Sequence, residues 1–266
     1  SKKEYSCLKG VNVVGYASFS LGIGEDCRST FNALNSVGIN TNLINFSPNN
    51  LNNRANNSLS NSISKKAFFK VSIICLTPDE YMRYFLNDTS NALNDSYIIG
   101  YWPWELPRWP RNWELANELV NEIWVSSKFI YDSVTQSTKK PVRLMPLCVD
   151  EFKSLKPLSN EERNGIRKKY KLKNENIIFV FCFDLNSHLE RKNPWGAIDA
   201  FLKAFPPIPN NIKNNNVNLL IKTFTPEQDN KDWNILKQIS KSDERIVILE
   251  NNLTRGELLD FYGCCD

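Results

Sequence analysis

The sequence predicts an α/β protein with two domains, each built around a parallel sheet. Short apolar segments alternate with segments of helical periodicity along the 266 residues. The apolar segments are near-continuous, as in strands that helices cover on both faces. A polar stretch rich in Lys and Glu, between Val149 and Leu172, separates two such series, and the 41% of hydrophobic residues is enough to supply a core to each.

The elements of the first series follow from two patterns. Near-continuous apolar runs indicate strands, and apolar residues three or four positions apart, such as Cys27, Phe31 and Leu34, indicate helices. The region 47–64 is rich in Asn and Ser, which predicts a loop or insertion without a core element. The strands are predicted at 11–16, 41–46, 67–76, 97–101, 122–125 and 141–147. The helices are predicted at 25–37, 81–86, 89–93, 112–121 and 128–136.

A segment rich in Trp and Pro follows the strand at 97–101. Its prolines forbid a regular element until Pro110, the last of them, opens a helix. Ser126 and Ser127 offer a cap for the next helix. A loop with the sequence LGIG, at 17–24, joins the first strand to the first helix.

The second series repeats the pattern after a polar helix at 160–170, which we expect to contribute little to either core. Its strands are predicted at 177–183, 217–223 and 246–249, and its helices at 195–205, 231–240 and 255–262. We therefore expect a first domain at 1–150, a linker at 151–172 and a second domain at 173–266. The second domain has fewer strand–helix pairs than the first, which predicts further strands beyond Asp266.

Composition excludes several classes of protein. The net charge of +4 has no long block of one sign, which argues against a protein that coats nucleic acid. Seven Cys without a metal-binding spacing predict reduced, mostly buried thiols and a cytoplasmic location. No segment has the length and apolarity of a membrane span or a signal core. A single His, His188, disfavours a zinc enzyme and a Ser-His-Asp hydrolase, and fits either a plain loop or the lining of a site.

The segment ERKNPWGAIDAF, at 190–201, suggests a binding site. It places Arg191 and Lys192 at the start of a helix that follows a strand. Backbone N–H groups at a helix start are unpaired and carry the positive end of the helix dipole. The segment therefore predicts a site for phosphate or another anion; the alternative is a solvated turn.

Five segments, at 10–34, 98–134, 141–150, 183–205 and 247–266, together resemble the family 4-like glycosyltransferases (glycosyl transferases group 1) of the GT-B fold, which has two Rossmann-like domains. The resemblance implies transfer of a sugar from a nucleotide-sugar donor to an acceptor hydroxyl, with retention of the anomeric configuration. It implies no cofactor and no bound metal. It further implies that the acceptor is a saccharide or a lipid-linked saccharide in cell-surface polysaccharide or lipopolysaccharide biosynthesis. A cytoplasmic protein is expected, and the resemblance also admits a peripheral position at the inner face of the membrane.

The resemblance assigns roles to residues in both domains. The first domain would face the acceptor, with Trp102 and Trp104 stacking on sugar rings and Glu105 as the catalytic carboxylate. In the second, donor-binding domain, a basic pair would stabilise the leaving diphosphate in place of a metal ion. Core packing of each Trp and ordinary turn geometry for the glycines remain the alternatives. The donor phosphates would contact Arg191, Lys192, Gly22 and Gly24, and the donor pocket would include Lys222, Leu249, Glu250 and Asn251.

The sequence departs from the family pattern in two places. It has no His in the first domain, and the end of that domain reads Leu147, Cys148, Val149, Asp150. The family's E-x7-E region should follow shortly after Asp266, so we expect a truncated transferase with weak or no turnover. A non-catalytic saccharide- or partner-binding protein on the same fold stays open. A dinucleotide-dependent oxidoreductase is disfavoured because 11–24 lacks the GxGxxG spacing.

Overall fold

A computed structural model describes residues 9–47, 56–87, 93, 96–149, 157–185, 189–206, 216–224, 230–250 and 253–266. The chain divides into two compact units, Ser1–Phe152 and Lys153–Asp266. Each unit is a parallel sheet with helices packed against it, so the predicted α/β class is confirmed. No helix in the described ranges has the length and apolarity that crossing a membrane requires.

The first unit contains a parallel sheet with the strand order β3-β2-β1-β4-β5-β6-β7. The chain order reverses direction at β1 and β4, which is the topological switch point of a doubly wound sheet. The strands are β1 (Val11–Gly15), β2 (Thr41–Asn45), β3 (Ile63–Ser64), β4 (Val71–Cys75), β5 (Tyr97–Tyr101), β6 (Glu122–Val125) and β7 (Val142–Leu144). The helices are α1 (Gly22–Ser36), α2 (Pro78–Asn87), α3 (Glu114–Glu118) and α4 (Lys128–Val134).

Three predictions for this unit need correction. Helix α1 begins at Gly22, so the predicted loop is shorter and both of its glycines lie in the first helical turn. The region predicted to lack a core element contributes β3, a two-residue strand that pairs with β2. The helix predicted at 112–121 is a 3-10 turn, Arg111–Trp113, followed by the short α3. The helix predicted at 89–93 lies outside the described residues apart from Leu93.

The second unit contains a parallel sheet with the order β10-β9-β8. Strand β8 is at one edge of this described order. The strands are β8 (Ile177–Cys182), β9 (Val217–Lys222) and β10 (Ile246–Leu249). The helices are α5 (Asn160–Lys169), α6 (Leu189–Lys192), α7 (Pro194–Ala204), α8 (Lys231–Ser242) and α9 (Arg255–Gly263).

Helix α5 belongs to the core of the second unit, which corrects the prediction of a linker helix outside both cores. Its end and the turn after it bury Tyr170 and Leu172 against Phe261 of α9. The Ser159 hydroxyl caps the helix together with Glu162 in a reciprocal capping box. The sequence did not predict this packing, because the helix is polar in overall composition and only one of its faces is apolar.

A buried arginine fixes α5 to the end of α9 and to β8. Arg167 donates from Nε to the carbonyl of Cys264 (2.9 Å) and from Nη2 to Asp266 Oδ2 (2.7 Å). The same carboxylate oxygen accepts the N–H of Ile178 at 2.8 Å, and the N–H of Asp266 donates to the carbonyl of Ile178 at 3.1 Å. Asp266 thus pairs with Ile178 at the edge of β8, through its own N–H and its side-chain carboxylate.

The six described cysteines are free thiols. Cys27, Cys75 and Cys264 are buried, whereas Cys148 and Cys182 are exposed. The prediction of reduced thiols in buried positions therefore fits the first three and not the last two.

Candidate functional site

Ligands of doubly wound folds bind outside the carboxyl ends of the strands. In the first unit, the loop after β1 lies at this edge and is held by Arg28, whose side chain is 4% exposed. Its Nη1 donates to the carbonyls of Ala17 (3.1 Å) and Phe19 (2.8 Å), and its Nη2 forms an ion pair with Glu25 at 2.8 Å. The buried guanidinium therefore fixes the shape of the loop from within.

The two glycines of this loop have different roles. A Cβ on Gly24 would lie 2.6 Å from the carbonyl oxygen of Phe19 and 2.7 Å from that of Tyr16. The missing side chain therefore makes room for the carbonyl groups of the loop, and the predicted contact of Gly24 with donor phosphates stays a prediction. Neither glycine has a positive φ; among the glycines that the structure describes, only Gly38 does (φ 79°).

Gly22 is exposed at the first position of α1, with no atom within 4 Å of the position of a Cβ. The N-cap residue is Leu21, which has no side-chain oxygen to accept a hydrogen bond from the first turn. The N–H groups of this turn therefore keep their capacity to bind an anion. The predicted phosphate contact at Gly22 stays a prediction.

Sequence reasoning missed a hydrogen-bonded group beside this loop. The Tyr16 hydroxyl donates to Glu80 Oε1 at 2.5 Å, and the Thr77 N–H and hydroxyl each donate to Glu80 Oε2 at 2.8 Å. Burial and the hydrogen bond to Glu80 raise the pKa of Tyr16, which keeps the phenol protonated. The Thr-x-x-Glu spacing of a capping box was the signal that could have found this group.

Asp26, in the second turn of α1, was also missed. Burial is the main reason that its pKa rises to about 6, and the neighbouring Glu25 charge adds to this while Arg28 opposes it. Within the described ranges its carboxylate accepts no hydrogen bond. A half-buried carboxyl group that titrates near neutral pH at the carboxyl edge of the sheet is a candidate for proton transfer or hydroxyl binding.

The aromatic segment after β5 forms a packed cluster. Trp102 is 1% exposed and stacks on Trp109, with ring centroids 5.9 Å apart and an interplanar angle of 21°. The prediction that Trp102 stacks on an acceptor sugar is therefore wrong, because neither ring face is accessible. Trp104 is half-buried, contacts Trp113 at 4.7 Å between centroids and donates from Nε1 to the carbonyl of Arg108 at 2.8 Å.

Glu105 follows this cluster on the loop that begins at the carboxyl end of β5, and it is exposed to solvent. The loop position fits a group that meets a ligand, and the catalytic role stays a prediction.

In the second unit, Lys222 ends β9 and is 7% exposed. Its Nζ lies 3.5 Å from the centre of the Phe224 ring and donates to the carbonyl of Thr223 at 3.4 Å. Burial lowers the pKa of this amine, and Cys182 and Asp184 counteract the effect. Among the residues that the structure describes, this buried amine has one long hydrogen bond, and it is not a solvated side chain.

The neighbours of Lys222 come from the ends of adjacent strands. In the sheet register, Cys182 of β8 and Leu249 of β10 both stand opposite Lys222. Leu249 is half-buried, and Glu250, which follows it, is exposed. The predicted donor-pocket residues Lys222, Leu249 and Glu250 thus lie together at the carboxyl ends of the strands. Asn251 and His188 lie outside the described residues.

The basic pair lies on the short helix α6, ahead of α7. Arg191 is exposed and Lys192 is half-buried. Asn193, with a left-handed backbone (φ 51°), separates them from α7 and accepts the N–H of Gly196 at 3.0 Å. Because Pro194 has no N–H and that of Gly196 is bonded to Asn193, the start of α7 offers fewer free amides than a helix start usually does, and the anion site there stays a prediction. The positive charge here comes from the side chains.

No family model matches the chain, and no curated protein sequence does. Solved structures share its fold. The structure of HepE from Anabaena in complex with UDP and glucose has a TM-score of 0.60 and 12% identity, over 97% of this chain and 73% of that chain. The E. coli trehalose-6-phosphate structure bound with UDP-2-fluoro glucose has a TM-score of 0.55 and 11% identity, and the OtsA apo structure 0.56 and 12%; each match covers 97% of this chain and 77% of that chain. The likeness confirms the GT-B fold class.

Proposed function

We propose that this chain is a glycosyltransferase that moves a sugar from a nucleotide-sugar donor to an acceptor hydroxyl. The observation that carries the proposal is the buried amine of Lys222 at the carboxyl end of the second sheet, whose hydrogen bond to a described residue is a long one, 3.4 Å to the carbonyl of Thr223. A desolvated cation of this kind is poised to bind a phosphate oxygen, because the interaction is strong where water is excluded. The similarity in fold to structures that contain UDP or a UDP-sugar supports the same ligand class.

The finer roles are part of the proposal. The second unit binds the donor, with Lys222, Arg191 and Lys192 on the diphosphate, and Leu249 and Glu250 toward the rest of the nucleotide. The first unit binds the acceptor, with Glu105 as the catalytic carboxylate and the half-buried Trp104 as the aromatic contact. Gly22, at the uncapped start of α1, supplies backbone N–H groups for phosphate.

The reaction that we propose retains the anomeric configuration and needs no metal ion, since side-chain cations stabilise the leaving diphosphate. We place it in the biosynthesis of a cell-surface polysaccharide or lipopolysaccharide, in the cytoplasm or at the inner face of the membrane. Support for this setting comes from the family resemblance of the five sequence segments.

Calorimetric titration with UDP and GDP tests the proposal. We expect Lys222→Met, which keeps the length and apolar body of the side chain, to weaken nucleotide affinity by at least about tenfold. Lys241→Met makes the same charge change on an exposed residue in the last turn of α8 and should change affinity by less than about twofold. Unchanged affinity in folded Lys222→Met would refute the phosphate role. Tight binding to a saccharide or a protein, without donor hydrolysis, would favour the non-catalytic alternative.

A further inference from the structure

A shallow cavity of about 460 Å³ lies at the end of α5 and along the turn that follows it. Three lysines line it, Lys168, Lys171 and Lys173, together with Asn164, Asn174 and Glu175. The volume is within the range of small-molecule sites. All six residues are exposed, so the lysines and amides can meet a ligand without rearrangement of the core.

These three lysines form no ion pair with any residue that the structure describes, whereas the other basic side chains of α5 are paired. Glu175 is the one carboxylate that lines the cavity, which leaves a net positive charge in the concavity. The ammonium groups in this cavity repel one another, and a bound anion would offset that repulsion. The paired basic residues of this helix are Arg163 and Arg167, both with Asp266, and Lys169 with Glu257.

The end of α5 does not need these lysines for hydrogen bonding. The N–H of Leu172 donates to the carbonyl of Arg167 at 2.9 Å, and the N–H of Lys171 donates to that of Lys168 at 3.1 Å. This is the Schellman pattern, in which backbone groups satisfy the last carbonyls of the helix. A lysine is also a poor choice at its left-handed position, where Lys171 has φ 57° and glycine is usual. Residues in such sparsely populated conformations concentrate at functional sites.

We propose that this cavity binds the phosphate groups of an anionic ligand. Lysine ammonium groups act as point charges for phosphate, and the asparagine amides can donate to the remaining oxygens. The site is separate from the nucleotide edge. The cavity lies before the amino end of β8 and Lys222 at the carboxyl end of its neighbour, so a full strand of about 17–20 Å stands between them. The inference therefore does not rest on the proposed function.

Two probes distinguish the sources of the phosphate: inorganic pyrophosphate, measured by calorimetry, and vesicles of phosphatidylglycerol mixed with phosphatidylcholine, measured by co-sedimentation against phosphatidylcholine alone. Binding of pyrophosphate indicates a soluble phosphorylated ligand. Binding only to the anionic vesicles indicates a lipid headgroup. Either result supports the site if it weakens steeply with salt and depends on the lysines.

Lys171→Gly separates binding from folding. It removes one ammonium group and relieves the left-handed strain, so the Tm should not fall below that of the unmodified chain. We expect binding of the positive probe to weaken by roughly fivefold. Replacement of Lys168 and Lys173 by Gln as well should abolish it, whereas Lys241→Gln should have no effect. Failure of both probes to bind, or binding that is unchanged in Lys171→Gly, would overturn the inference.

Discussion

Asp26 is a half-buried carboxyl group whose pKa in the folded protein is raised from 3.8 to about 6. The folded state therefore binds more protons than the unfolded state between about pH 4 and pH 6, and the free energy of unfolding falls as the pH rises through that window. At neutral pH the ionised carboxylate costs stability. Sites that bind a ligand often carry such a cost, because the group is arranged for its partner and not for the fold.

We predict that Asp26→Asn raises the free energy of unfolding at pH 7 by about 1–2 kcal/mol and leaves it nearly unchanged at about pH 4. Urea denaturation of the variant and the unmodified chain at both pH values measures the difference. Asp199→Asn, on the exposed face of α7, serves as the control and should change stability by less than about 0.5 kcal/mol at either pH. An equal gain at both pH values for Asp26→Asn would show that the charge is not the cause.

Single residues were also where prediction from sequence was weakest. The family resemblance identified Lys222, and the basic pair before a predicted helix identified Lys192. Whether each is buried depends on neighbours from other elements, such as Phe224 and the strand ends beside Lys222. The sequence allowed Trp102 either to stack on a sugar or to pack inside, and the ring of Trp109 shows that it packs inside.

At the level of elements, β5 and the aromatic cluster depend on each other. A Cβ at Gly100 would lie 2.4 Å from the ring of Trp102, which is held by Trp109 and cannot move outward. The strand therefore admits the indole only because this position has no side chain.

We predict that Gly100→Ala lowers the free energy of unfolding by about 1–3 kcal/mol through overpacking of this cluster. Thermal denaturation followed by near-UV circular dichroism measures the loss and reports on the tryptophan environment. Gly256→Ala is the matched control, because no described atom beyond its own helix backbone and chain neighbours lies within 4 Å of its Cβ position in α9, and it should stabilise slightly. A Gly100→Ala protein as stable as the unmodified chain would contradict the packing that we describe.

Most elements could be predicted from sequence because their signals are local. The strand at 122–125 and the capped helix at 160–170 were found within a residue of their observed bounds. The start of α1 was missed because two glycines resemble a loop, whereas tertiary contacts of Arg28 with Ala17 and Phe19 determine where the helix begins. We did not predict that α5 belongs to a core, because its partner, α9, is distant in sequence.

At the scale of the whole molecule, the α/β class and its division into two series followed from alternation and composition. The arrangement of the site groups within each unit could not be predicted in this way, because it depends on which strands, far apart in sequence, end side by side in a sheet.

The edge of the second sheet is also a property of the whole arrangement of strands. In β8, the backbone groups of Phe179 face β9, whereas those of Val180 face away from it, and no described residue pairs with Val180.

We predict that the edge of β8 at Val180, which no described residue pairs with, makes this chain self-associate with increasing concentration, because unpaired strand edges template further pairing. Val180→Pro should lower self-association in sedimentation velocity, with only the modest loss of Tm that comes from the partly buried Val180 side chain, since the N–H that proline removes is not bonded to β9. Phe179→Pro is the contrast, because it removes a backbone bond to β9 and the ring contacts with Phe201 and Phe205, and it should lower the Tm much more than Val180→Pro does. Equal self-association of Val180→Pro and the unmodified chain would exclude this edge.

The cluster of Trp102, Trp104, Trp109 and Trp113 has a practical consequence for spectroscopy. Five of the seven tryptophans, these four and Trp124, lie in the first unit, and the second unit has Trp195 and Trp233. Intrinsic emission should therefore report mainly on the first unit, at short wavelength because two of its indoles are buried. Replacement of Trp195 and Trp233 by Phe would leave a chain whose fluorescence follows the melting of one half alone.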